Sequence, residues 1–525
     1  MRLPPLASPF EDIKQPSFFI PLMVFAVLLL VCLGRRPYFG DEISAIVMTR
    51  GSLGQTIEAV AADVHPPVYF LLLKAMRAVA GERAWALRLL SALFSIAAFP
   101  FLWAVARRFF GKNVGLVAWL VATSSFTVFA SRFIRYYSLG LLETAAATWL
   151  LLLLLERPTR RRWIAYGVAM VLMIYTFYLS VIVMAAHGIV FVAAWRREPR
   201  RLIPPLIVLA AICLAFAPWS AVMARQVARI GSSEAGGGLK GRGVAAVGQL
   251  AYTFYMFVAG DSISPFALPL SAAVTVFYAV LTMLGVRRMW QSRTTRSLVI
   301  PATVGLALLI PAAMRLGGWL HEPAIFIPVR LLFAAPFFAM ILACGVLAIG
   351  NPRVRAAAFV AMIGIQAISL FNYYLNRQWT NWAYEVPMAE IVGYVEKHAG
   401  PGDLVILDEW NLYRGPYFYW RGGWATVCRF GPSATRWPAR LETARRVWVI
   451  RAVRDQSPGG QMDRLLLHIK LNFVLKEQIG YVKEPPVIYA QKRRWLRREV
   501  YPYKIETLLF ERAEARQKQD GKGKR

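Results

Sequence analysis

Long apolar runs separated by short basic loops dominate the first three-quarters of this chain. A helix crosses a bilayer with roughly 17–25 apolar residues. Runs of that kind are read at Phe18–Leu33, Trp85–Ala106, Val114–Ala130, Ser138–Leu155, Trp163–Phe177, Leu179–Trp195, Leu202–Val222, Phe266–Gly285, Leu298–Met314, Leu331–Gly350 and Ala356–Tyr373. The stretch Trp163–Trp195 is too long for one span and divides at Tyr175-Thr176-Phe177-Tyr178, an aromatic cluster suited to a membrane interface. Basic clusters lie at Arg107-Arg108, Arg157 with Arg160-Arg161-Arg162, Arg196-Arg197 with Arg200-Arg201, Arg287-Arg288, and Arg353 with Arg355. Such clusters belong on the cytoplasmic side. They share one side if the apolar helix Val68–Ala80, short and interrupted by Lys74 and Arg77, lies in the interface instead of crossing. About eleven spans follow, with the N-terminus inside and the C-terminus outside.

From about Asn376 the pattern changes. Met388–His398 reads as a helix, Gly400-Pro401-Gly402-Asp403 as a turn, and Leu404–Leu407, Val447–Ile450 and Ile505–Leu509 as strands. The expected fold class is a polytopic α-helical membrane protein, residues 1–375, carrying a C-terminal extracytoplasmic α/β domain, 376–515. Residues 516–525 are expected to form a disordered basic tail. The external loops include the segment from Arg225 to Pro265, whose Gly-rich part, 231–243, is expected to be mobile.

Composition agrees with a lipid-solvated chain: 57% of residues are hydrophobic, 17% are charged, and mean hydropathy is +0.46. The net charge of +32 would point to nucleic acid in a soluble protein. Here the cations sit between apolar runs, so they read as orientation signals and contacts to anionic lipid headgroups, and nucleic acid is not expected as a partner. The cysteines Cys32, Cys213, Cys344 and Cys428 form neither a disulfide framework nor a metal-ligand spacing. A divalent metal is left open as a cofactor.

Acidic residues are scarce, 29 Asp and Glu against 61 Lys and Arg, which gives weight to those that lie on the external face. Asp41 and Glu42 follow the first span, where one carboxylate can take a proton from a substrate hydroxyl; both can equally cap the helix that follows. Asp63-Val64-His65-Pro66-Pro67 comes next, with Asp63 able to orient His65 or to bind a metal and the prolines stiffening the loop. Further along, Arg132 and Arg135 are three apart beside Tyr136 and Tyr137. Arginine on this side runs against the charge bias and asks for an anion such as a lipid phosphate. Arg330, with His321 earlier in its loop, is a second phosphate candidate, whereas His187, mid-span, reads as a helix-packing residue.

In this order these features resemble the GT-C glycosyltransferases, in the bacterial branch related to protein O-mannosyltransferases and lipid A aminoarabinose transferases. The resemblance rests on Asp41-Glu42, Asp63-x-His65-Pro66-Pro67-x-Tyr69-Phe70, Arg107-Arg108-Phe109-Phe110-Gly111 and Ser131…Arg135-Tyr136-Tyr137-Ser138-Leu139. Tyr175-Thr176-Phe177-Tyr178, Pro328-Val329-Arg330-Leu331-Leu332 and Ala399-Gly400-Pro401-Gly402-Asp403 complete it. Phe177 stands where the family often has His, and Leu331 where it often has Tyr. The resemblance implies a polyprenyl-phosphate monosaccharide donor, a hydroxyl acceptor in the cell envelope (lipid, glycan or protein) and transfer on the outer face of the cytoplasmic membrane. It makes Asp41 the base, His65 a ligand of the lipid phosphate, and Arg135 and Arg330 further ligands. A flippase for lipid-linked sugars, or an O-antigen ligase or polymerase, are the competing readings. The first would want charges inside the spans and repeated broken helices, and the second would want its soluble element between spans.

Overall fold

The computed structural model describes residues 8–231, 239–267, 269–292, 295–317, 327–377, 387–408, 418–422, 426–430, 437–453, 461–482, 490–491, 493–494 and 504–513. Contacts divide the chain into two units. The first comprises Met1–Arg35 and Ala45–Arg377, the second Arg36–Ser44 and Gln378–Arg525.

The first unit is helical: α1 Pro16–Leu30, the end of α2 Gly40–Met48, α3 Leu53–Ala62, α4 Val68–Ala80, α5 Ala84–Phe110, α6 Val114–Thr123, α7 Ser125–Ala130 and α8 Tyr137–Glu156. It continues with α9 Arg160–Thr176, α10 Ser180–Trp195, α11 Ile203–Gly231, α12 Leu239–Ala259, α13 Leu270–Ser292, α14 Val299–Leu316, α15 Ala335–Ala348 and α16 Pro352–Tyr374. Among the described residues seven helical stretches are long and apolar enough to cross a membrane, α5 and α6 counting as one, and α1 and α10 are shorter apolar helices. The chain is a multi-pass membrane protein. Each apolar run read from the sequence is helical. The segment expected as the loop Arg225–Pro265 differs: it ends in the 21-residue α12, which packs on α13, α14 and α16.

α12 is held by polar groups on α16. Gln366 donates to Val258 O at 2.6 Å and accepts from Ser125 N–H and Oγ, both at 2.9 Å. Ser369 Oγ donates to Ala259 O at 2.7 Å. Side-chain hydrogen bonds of this kind fasten helices where lipid offers no competing partner. α13 and α15 instead meet backbone to backbone. A Cβ added at Gly285 would lie 2.0 Å from Ile341 O, and one at Gly345 2.0 Å from Leu281 O.

Ion pairs bring several helix ends to one face. Arg108 at the end of α5 pairs with Glu156 at the end of α8 at 2.6 Å, and Arg296, just before α14, reaches the same carboxylate at 3.8 Å. Arg107 and Trp103 Nε1 both donate to Asp12, and Gly111, at φ +53°, terminates α5. The Arg-Arg-Phe-Phe-Gly run is thus a helix end with its cations committed. α4 buries Tyr69, Phe70 and Leu73 on one side, while Lys74 donates to the carbonyls of Thr49 and Gly51 beyond α2.

The second unit contains α17 Met388–His398, β1 Asp403–Asp408, β2 Thr426–Phe430, α18 Trp437–Thr443, β3 Arg446–Val453, α19 Gln461–Asn472, β4 Phe473–Val482 and β5 Lys504–Arg512. The sheet order is β2-β1-β3-β5-β4, with β1 parallel to β2 and β3, and β5 antiparallel to β3 and β4. Both faces are covered. Leu404, Ile406, Val447, Val449 and Phe510 pack with Leu441 of α18 and Leu465 and Ile469 of α19. Val405, Leu407, Trp448 and Ile450 pack with Ile391, Val392 and Val395 of α17. Two-sided burial explains why β1 reads as an uninterrupted apolar run. The Gly-Pro-Gly-Asp turn is structural: Gly402 sits at φ +83°, and buried Asp403 accepts from Gly400 N–H at 2.9 Å and from Arg446 Nη2 at 2.7 Å.

The segment 36–44 groups with this unit through Tyr38. Its ring lies edge-on to Phe418 at 5.8 Å, and its backbone N–H donates to the Tyr419 hydroxyl at 3.3 Å.

Candidate active site

His65 occupies the turn between α3 and α4, held from both sides. Pro66 and Pro67 fix the backbone entering α4, and Gln226 of α11, 1% exposed, donates to Val60 O and Ala61 O at 3.2 Å and to His65 O at 3.5 Å. Gln226 Oε1 accepts from the Tyr178 hydroxyl at 2.6 Å, and that oxygen accepts from Trp219 Nε1 at 2.9 Å. The second tyrosine of the Tyr-Thr-Phe-Tyr run therefore fixes the histidine loop through a glutamine. Sequence reading missed Gln226. Its signal was an amide between Arg225 and Arg229, where a long apolar helix turns polar.

The imidazole is buried, stacked on Phe70 at 5.8 Å and tilted against Tyr136 at 5.4 Å. Tyr136 stacks on Phe177 at 6.0 Å, and Phe177 lies 5.5 Å from Phe333. Phe177 also lies over Gly140, where a Cβ would come within 2.9 Å of the ring. At this position the chain has a wall residue, and glycine on α8 makes room for it.

Arg135 lies in the turn 131–136 between α7 and α8, and α5 builds the seat of that turn. Ser95 Oγ donates to Ser131 Oγ at 2.8 Å, Ser138 Oγ to Ser131 O at 3.2 Å, and Ser91 Oγ to Arg135 O at 3.5 Å; Ser91 also meets the Tyr69 hydroxyl at 2.9 Å. Arg135 is 3% exposed. Arg330 comes from the short 3-10 helix Pro328–Ala334 that leads into α15.

His65, Arg135 and Arg330 come together although they are far apart in the chain. Burial first, then the charges of Arg135 and Arg330, hold the His65 imidazole well below its usual pKa. The group is thus a neutral histidine in the field of two guanidiniums, with the rings of Phe70 and Tyr136 against the imidazole. Such a group suits an anion.

Other candidates go elsewhere. Arg132 donates to Val31 O at 2.7 Å and Leu28 O at 3.4 Å, carbonyls at the end of α1, and lies over the rings of Tyr373 and Tyr374 at 5.5 and 5.2 Å. That is a helix-end and packing role. Asp63 is the half-buried residue that closes α3. Asp41 and Glu42 occupy the first turn of α2, in the second unit. Glu42 is buried and accepts from Phe39 N–H at 3.0 Å, a capping contact. His187 is buried between Thr148 Oγ1 at 3.2 Å and the Tyr166 hydroxyl at 3.1 Å, a packing residue. His321, the Gly-rich stretch 232–238 and the tail lie outside the described residues. Among the described residues no three or more His, Cys, Asp or Glu side chains gather as a metal site.

Residues 64–222 match the family model described as dolichyl-phosphate-mannose-protein mannosyltransferase. No single curated protein sequence matches the chain. Solved structures do. ArnT from Cupriavidus metallidurans in the apo state aligns with a TM-score of 0.56 at 14% identity, over 93% of this chain and 97% of ArnT. The same enzyme bound to undecaprenyl phosphate aligns at 0.52 and 13% identity, over 93% and 97%. The apo oligosaccharyltransferase of Archaeoglobus fulgidus aligns at 0.50 and 12%, over 84% of this chain and 69% of that one. The helical bundle with its C-terminal sheet domain is therefore the GT-C glycosyltransferase fold, and the stretch that matches the mannosyltransferase model is the one that carries His65 and Arg135.

Proposed function

We propose that this protein is a glycosyltransferase that moves a monosaccharide from a polyprenyl-phosphate donor to a hydroxyl acceptor on the outer face of the cytoplasmic membrane. The observation that carries this reading is the convergence of buried His65 and Arg135 with half-buried Arg330, beside the rings of Phe70 and Tyr136, within a GT-C fold. The undecaprenyl phosphate bound by ArnT gives the ligand class this group would take.

In the proposed reaction a carboxylate base, for which the sequence resemblance offers Asp41, takes the proton of the acceptor hydroxyl, and the resulting oxygen attacks the anomeric carbon of the donor. The bond from that carbon to the phosphate oxygen breaks, and the lipid phosphate leaves. The donor is a phosphodiester with one negative charge and the product a monoester approaching two, so charge grows on the phosphate as the bond breaks. In this reading Arg135 and Arg330 hold the phosphate, and guanidiniums set against a growing negative charge lower the barrier. His65, neutral at rest, donates a hydrogen bond and becomes easier to protonate once an anion offsets the guanidiniums.

The test is transfer by the purified protein, without ATP, from polyprenyl-phosphate sugars to acceptors extracted from the cell envelope. Product formation supports the reading. Vectorial lipid movement with no product would favour the flippase.

A further inference from the structure

α9, α10 and α11 enclose a groove of about 190 Å³ on the first unit, with room for a chain of roughly six methylene-sized groups. Its walls are apolar, built by Tyr166 and Met170 of α9, Gly188 and Val192 of α10, and Leu206 and Leu209 of α11. Val192, Leu206 and Leu209 are exposed at its mouth, and only 11% of the most apolar stretch of α11 is covered by protein. The hydroxyl of Tyr166 is turned away to His187. A lipid tail is no more apolar than its neighbours in a bilayer, so these walls alone would select nothing.

Charge at one end of the groove supplies the selection. The Trp163 ring lies 5.5 Å from Phe191 and 6.4 Å from Trp195, which sets the first turn of α9 beside the last turn of α10. That arrangement gathers Arg160 and Arg161 with Arg196, Arg197, Arg200 and Arg201, all exposed. Glu198 pairs with Arg201 at 2.7 Å, and a clear excess of cation remains. Leu202, next in the chain, already lines the groove.

We propose that this groove binds an anionic phospholipid from the leaflet facing the basic loops, with part of one acyl chain between α9, α10 and α11 and the phosphate headgroup among Arg160, Arg196, Arg197 and Arg200. Guanidiniums suit phosphate oxygens, and juxtamembrane cations draw anionic lipid. The site involves none of the groups assigned to sugar transfer.

The experiment is native mass spectrometry of the delipidated full-length protein titrated with palmitoyl-oleoyl phosphatidylglycerol or phosphatidylcholine. The anionic lipid should bind about tenfold tighter or better. The double substitution Arg196→Gln/Arg197→Gln should remove most of that preference while leaving phosphatidylcholine unchanged. Gly188→Leu should abolish tight binding, since a Cβ at Gly188 meets nothing within 4 Å and the larger side chain grows into the groove. If that variant fails to fold, quenching of Trp163 and Trp195 fluorescence by brominated phosphatidylglycerol, absent with brominated phosphatidylcholine, decides the same question. Equal binding of the two lipids overturns the proposal, as does unaltered binding in a folded Gly188→Leu. Displacement of phosphatidylglycerol by stoichiometric polyprenyl phosphate also overturns it, by giving the groove to a donor tail.

Discussion

Replacing Arg330 by Gln removes one of the two guanidiniums that act on His65, and it should leave two separate marks. The first is on donor binding. A hydrogen bond to a charged partner contributes about 1.5–3 kcal/mol, so donor affinity should fall roughly ten- to 150-fold. The second is on the histidine. In the native protein burial, Arg135 and Arg330 all hold His65 below its ordinary pKa, so it stays neutral where the unfolded chain, titrating near 6.5, takes up a proton. The unfolded state then binds more protons, and stability is lost as pH falls through that value. If His65 stays neutral throughout, its contribution drops by about 1.4 kcal/mol between pH 7.5 and 5.5. Arg330→Gln relieves part of the depression and should shrink this loss; His65→Gln should abolish it. Donor binding works in the opposite sense: the anionic diester offsets the guanidiniums and raises the histidine pKa, so affinity should rise as pH falls, in wild type but not in His65→Gln. The assays are isothermal titration with a polyprenyl-phosphate sugar at several pH values and denaturant unfolding over the same range. Unchanged donor affinity together with an unchanged pH profile in Arg330→Gln would refute the shared site.

Other outcomes follow from the same structure. Asp41→Asn should lower kcat by at least about 10²-fold with donor binding preserved, and equal loss in Glu42→Gln with normal Asp41→Asn would move the base one residue along. Gly345→Val should prevent folding or cost several kcal/mol, because its Cβ would lie 2.0 Å from Leu281 O; expression and thermal unfolding in detergent report it. After replacement of the native cysteines, a cysteine at Lys397 should react with an impermeant maleimide from outside and one at Thr159 should not. The reverse pattern would invert the topology and move the site to the cytoplasm.

What could be read from the sequence was set by how local its cause is. Apolar runs, the amphipathic α4, α17 and the central strands β1, β3 and β5 each carry their own periodicity or two-sided burial in neighbouring residues. The strands missed, β2 and β4, are the two edges of the sheet. Edges are kept polar to discourage further pairing, and β4 carries Lys476-Glu477-Gln478 with a register shift between Leu475 and Glu477. α12 was missed because its anchors, Gln366 and Ser369, lie more than a hundred residues away. The same reasoning separates the arginines. Arg132 and Arg135 look alike in sequence, and only the position of the α1 terminus gives one to carbonyls there and the other to His65.

The tie between Tyr38 and Tyr419 has a consequence for how the protein is made. The two residues are 381 positions apart. At about 5–20 residues per second, a ribosome needs roughly 20 to 75 s to produce the second after the first. During that interval the loop carrying Asp41 exists without the aromatic residues it will rest on. A chain stopped near residue 375 would insert its helices yet never form this contact. The C-terminal unit therefore completes a contact begun near the start of the chain, and expressing the membrane portion alone would leave the segment around Tyr38 without Phe418 and Tyr419.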